Sequence, residues 1–191
     1  MPVTLSQNTE ADALLDRDPL ALLIGMVLDQ QVPLEKAFSS PLELTKRLGH
    51  ELDVTELAEY DSDELASIFA QRPALHRFPT SMAGRVQGVA RILVADYDGD
   101  VSRLWAGVED GHELLARIEA LPGFGGQKAA IFLALLGKQR GVRPPGWQEA
   151  AGEFGQDGVY MSVADIVDAD SLLRVRDYKQ RQKAAAKAAA Q

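Results

Sequence analysis

The chain contains no cysteine. That excludes disulfides, thiolate-ligated zinc and iron–sulfur clusters, and it fits a reducing compartment. The expectation is a cytoplasmic protein with no cofactor. No long hydrophobic run is present either. The longest, Leu20–Leu28, is far short of the roughly 20 residues that span a bilayer. Met1 to Asp18 lacks a basic start followed by an apolar core, so no secretory leader is expected and no membrane partner. Three histidines, His50, His76 and His112, are scattered without metal-ligand spacing. No alternating strand pattern and no internal repeat occur. Acidic residues are missing from one long stretch, Ala120 to Gln148.

What is present suits one globular domain. The 191 residues are 46% hydrophobic, enough for a buried core. Net charge is −8, which argues against broad coating of nucleic acid. The charge is uneven, however. Arg174 to Lys187 carries net +5, which leaves −13 on the rest. The acid-free stretch holds Lys128, Lys138, Arg140 and Arg143. Charge placement matters more for a local phosphate site than the total does.

Periodicity and capping signals predict an all-α chain of nine or ten helices. Asp18-Pro19 opens a central helix over Leu20–Gln31, closed by Val32-Pro33. Ser40-Pro41 opens another, to about Leu48. Helices follow from Asp53 or Thr55, from Asp61, over Ser81–Tyr97 and over Val101–Trp105. Gly111–Glu119 and Gly126–Gln139 flank a glycine turn, and Gly141 to Gly158 reads as loop. A short helix starts at Ser162 or Asp165. A last one starts at Ser171, with a basic tail over about residues 180–191 expected to fray.

The turn itself is Leu121-Pro122-Gly123-Phe124-Gly125-Gly126-Gln127-Lys128-Ala129. It is not a dinucleotide fingerprint, because a helix precedes it and the last glycine is missing. It is not a nucleoside triphosphate loop, since no Gly-Lys-Ser/Thr follows. What remains is a helix, a glycine hairpin and a helix. Its backbone N–H groups are free to hold an anion such as a DNA phosphate. Phe124 is expected to point inward and lock the turn.

These residues resemble the helix-hairpin-helix of the DNA glycosylase superfamily that includes endonuclease III and the adenine-specific and alkylbase glycosylases. The early segment Leu23-Ile24-Gly25-Met26-Val27-Leu28-Asp29-Gln30-Gln31 is similar to that superfamily's early helix, which ends in glutamines. The resemblance implies a two-lobed all-α fold over a single domain, residues 1–191, and double-stranded DNA as partner of a monomer. It implies that Gly123, Phe124, Gly125, Gly126 and Lys128 grip the backbone. A monovalent cation at the hairpin carbonyls is also implied, as is entry of Gln31, beside Gln30, into the duplex where the target base is flipped out.

The departures define the chemistry expected. The position matching the Schiff-base lysine of bifunctional members is Gln127. Lys128 lies about 100° further round the helix, and is read as a phosphate contact or a solvated residue. The family's catalytic aspartate falls on Pro145-Gly146-Trp147, where no carboxylate stands. Glu149 and Asp29 are the candidate replacements. Trp147 is the first candidate to stack on a flipped base, ahead of Trp105, Phe154 and Tyr160. Gly25-Met26-Val27 lacks the glutamate of the adenine-specific branch. The expectation is a monofunctional glycosylase acting on a damaged base, with alkylated bases as the first candidates. The alternatives are a DNA-binding or scaffold protein without catalysis, and an all-α protein that works through protein contacts.

Overall fold

A computed structural model describes residues 3–190 of the chain. Ten α-helices and three short 3-10 turns account for its regular structure, with no strand among the described residues. No helix is long and apolar enough to cross a membrane.

The first helix, α1 (Thr9–Arg17), is capped by Asn8. Asp18 then both ends α1 and caps α2 (Pro19–Leu28), accepting the Leu20 N–H at 2.8 Å. Every residue of α2 after Pro19 is buried, so this helix has no solvent face and forms the centre of the molecule. It lies against α1, α3 (Leu34–Leu48) and α6 (Pro79–Tyr97). A Cβ at Gly25 would stand 2.6 Å from the Phe38 ring. The α2–α3 approach therefore depends on hydrogen at that position.

One group of helices forms around α6, which packs on α4 (Val54–Glu59) and α5 (Ser62–Ala70). A second forms around α8 (Gly126–Gln139), which packs on α7 (Gly111–Glu119), α9 (Trp147–Ala150) and the 3-10 turns at Gly152–Gly155 and Val163–Asp165. The last helix, α10 (Ala169–Ala189), is capped by Asp168 and is exposed throughout from Lys179 onward. It continues as helix through the segment expected to fray.

Three boundaries differ from the sequence reading. Helix α2 stops at Leu28, not Gln31, because Gln31 takes a left-handed conformation (φ 55°) and Pro33 begins the approach to α3. Helix α3 starts at Leu34, not Ser40. The Ser40 hydroxyl donates back to the Lys36 carbonyl (2.7 Å) instead of capping, and Pro41 is buried inside the helix. The stretch 141–158 is folded rather than open. Trp147 packs against Gly137 and Gly111, where added Cβ atoms would meet it at 2.3 and 2.5 Å.

Gly25→Ala tests the central packing. Forcing Phe38 aside should lower unfolding free energy by about 1–3 kcal/mol, measured by urea denaturation with an unchanged m-value.

Candidate nucleic-acid interface

The hairpin is built from glycine and two anchors. Gly123 takes φ 86°, a conformation that costs glycine little and other residues much. Phe124 is buried and packs on Phe132 with ring centroids 5.7 Å apart. Pro122 sits against Gly88 of α6. The Phe124 N–H closes the turn on the Leu121 carbonyl at 3.1 Å. Gly125 caps α8 without any side-chain bond. The amides of Gly123, Gly125, Gly126 and Gln127 thus have no acceptor among the described residues. They are the orphan donors of a helix N-terminus, reinforced by its dipole. The turn's backbone carbonyls would be the groups to hold a monovalent cation, which would add positive charge toward a phosphate. No cluster of three His, Asp or Glu side chains placed to hold a metal occurs among the described residues.

Facing the hairpin is the turn that follows α2. Its Val27 carbonyl accepts from the Lys128 ammonium (2.9 Å) and from the Gln30 side-chain amide (2.8 Å). Arg85 donates to the Gln30 side-chain oxygen at 2.6 Å. His76 is buried beneath the turn. The Phe78 N–H donates to its Nδ1 (3.0 Å), so Nε2 carries the proton and donates to the Gln30 carbonyl (2.8 Å). Burial holds the His76 pKa below its ordinary value, which keeps this neutral tautomer in place. The loop bearing His76 is fixed in turn by Arg47, which donates to the carbonyls of Ile68, Gln71 and Pro73.

Between turn and hairpin lies a cleft of about 370 Å³, whose walls include Met26, Asp29, Gln31, Gln127, Lys128 and Ile131. Asp29 also lines an adjoining cavity of about 280 Å³ beneath α10. Its carboxylate has no hydrogen-bond partner among the described residues. Burial raises its pKa, opposed by the nearby charges of Lys179 and Lys128. Burial likewise lowers Lys128 to about 8, opposed by Asp29. Each is a costly charge, kept in the cleft by the other's presence.

The sequence-derived candidates separate accordingly. Gln30 is consumed in scaffolding, with its amide and carbonyl groups bonded within the chain. Gln31 is exposed and strained at positive φ, the usual mark of a residue held for function. Lys128 is half-buried in the cleft wall. It bends inward to α2, its ammonium 5.6 Å from the Phe124 ring. Glu149 is exposed on α9 and does not line the cleft. Trp147 is spent on Gly137, toward the end of α8 opposite the hairpin. One residue escaped the sequence reading. Phe78 is 43% exposed and lies beside the turn, with the Arg77 guanidinium 5.3 Å over its ring. An aromatic flanked by Arg77 and Pro79 carried no helical periodicity to mark it.

An all-helical fold in which a glycine hairpin opposes a glutamine turn across a cleft defines a DNA-repair class of protein. The family model for the HhH-GPD superfamily base excision DNA repair protein matches residues 24–191, and the chain belongs to that family. No curated protein and no solved structure matches the chain.

Two variants test this geometry. Gln31→Gly removes both the side chain and the backbone strain. Stability should hold or rise by about 1 kcal/mol, while affinity for a lesion-bearing duplex falls. For Lys128→Met the sign follows from the lowered pKa. Below pH 8 the buried ammonium penalises the native state by a constant amount, and the penalty fades as pH rises from about 8 toward the ordinary 10.5. The variant should melt at higher temperature than the native chain at pH 7, with a margin that shrinks by pH 10.

Proposed function

We propose that this base excision repair protein is a monofunctional DNA glycosylase. It would hydrolyse the N-glycosidic bond of a damaged base, with alkylated purines as the first substrate class. The observation that carries the reading is Asp29, a half-buried carboxylate with no hydrogen-bond partner among the described residues, lining the cleft between the two elements suited to grip DNA. The hairpin amides take a phosphate of the damaged strand. Gln31 enters the duplex in place of the extruded nucleotide, and the exposed Phe78 supplies an apolar wedge of the kind that unstacks a base step.

In the cleft Asp29 stabilises the positive charge that develops on the sugar as the base departs, and it orients the attacking water. Water's oxygen bonds to the sugar carbon, the glycosidic C–N bond breaks with its electron pair going to the base, the alkylated purine leaves neutral, and the proton lost by water passes through Asp29 to solvent. Alkylated purines suit this site because they already carry positive charge and need less help to depart. The position that matches the family's Schiff-base lysine holds no amine. Gln127 occupies the matching position, and the Lys128 ammonium is turned to Val27.

The reading without catalysis draws support from one observation. The loop at Pro145-Gly146-Trp147 carries no carboxylate and is packed away from the cleft. Base release from a panel of lesion duplexes separates the two readings. Asp29→Asn should lower release by about 100-fold or more with salt-dependent duplex binding retained. Borohydride should trap no covalent complex. Release unchanged in Asp29→Asn overturns the catalytic assignment, and salt-dependent binding without release from any duplex leaves the non-catalytic reading.

A further inference from the structure

A groove of about 790 Å³, larger than the cleft, lies between α8 and α10. Its walls are apolar where they are deepest, with Ile131, Phe154, Met161 and Tyr178. Its exposed lip carries Lys179 and Lys183 against one carboxylate, Glu153. Arg176 also borders it but is ion-paired to Glu35. The Tyr178 side chain is half-buried, and its hydroxyl makes no hydrogen bond among the described residues. The groove runs into the cleft, with which it shares Gln127, Ile131 and Lys179.

We propose that this groove binds a short single-stranded segment of DNA adjoining the duplex held at the hairpin. The inference rests on the reading of the cleft as the DNA interface. An apolar floor with aromatic edges suits the faces of unpaired bases, which a duplex does not present outward. A cationic lip suits the backbone that tracks above them. That pairing of stacking surface and positive groove is how single strands are held without sequence preference. Continuity with the cleft supplies the strand. A segment leaving the flipped nucleotide reaches the groove without crossing any other surface. An acidic peptide would satisfy the lip but makes no use of the Tyr178 ring and the apolar floor beside a DNA cleft.

The test is fluorescence anisotropy at low salt, with two probes on the full chain. One is a single-stranded oligothymidylate of about eight nucleotides, the other a blunt lesion-bearing duplex. The native chain should bind both. Tyr178→Ala should weaken oligothymidylate binding about five- to 100-fold and leave the duplex affinity unchanged. Lys183→Glu should weaken the oligothymidylate further at low salt and lose most of that difference at high salt. Three results overturn the proposal: no oligothymidylate binding by the native chain, equal binding by Tyr178→Ala, or displacement by polyglutamate at equal charge concentration. Failure of the glycosylase reading appears elsewhere, as a blunt duplex that is not bound or from which no base is released. The groove stands or falls on the oligothymidylate alone.

Discussion

One carbonyl holds the functional half of this molecule together. Val27 lies in the last turn of α2, where helix geometry leaves carbonyls without intrahelical partners. It accepts from Lys128, 101 residues away on α8, and from Gln30 in the following turn. The bond to Lys128 ties the hairpin helix to the central helix. The bond to Gln30 fixes the turn. With Arg85 on its side-chain oxygen and His76 on its carbonyl, Gln30 has no freedom left. The chain then reverses at the exposed Gln31, while Asp29 lines the cleft near the charges of Lys179 and Lys128. Gln31, Asp29 and the glycine hairpin are thus positioned by one shared acceptor.

The arrangement uses two poorly solvated charges. Burial raises Asp29 and lowers Lys128, so each would be less costly elsewhere. A hydrophobic pair would make the better core. Retaining charge there makes sense only if the cleft is filled by something that needs it. The acidic total of the chain is consistent with this. Many carboxylates sit at helix N-caps, including Asp18, Asp53, Asp61, Asp110 and Asp168. There they satisfy backbone donors and leave the hairpin side of the molecule to its cations.

Much of this was legible in the sequence. Asp18-Pro19 and Asp61 announced helix starts because capping is a local interaction. The glycine hairpin and the glutamine turn were legible as motifs. What failed depended on tertiary contacts. Pro41 reads as a helix start, yet it sits inside α3 with Ser40 bonded to the Leu75 carbonyl at 2.8 Å. Gln30 and Gln31 are identical in type and differ only in what surrounds them. Helical angle correctly turned Lys128 away from the position of Gln127, but only the fold reveals a carbonyl waiting there. Trp147 reads as a cleft residue from its place in the loop, while Gly137 leaves the space that takes its ring and Gly111 lets its backbone approach α7.

The most direct test of this account is the titration of the Lys128 ammonium by NMR, with isotope-labelled lysine and assignment from Lys128→Met. It is followed in the free protein and in complex with a duplex carrying an abasic-site analogue. The account predicts a lysine that titrates near 8 in the free protein. In the complex it should move upward, because phosphate brings negative charge to the cleft. Titration at the ordinary lysine value in the free protein, or no change on adding the duplex, would contradict it.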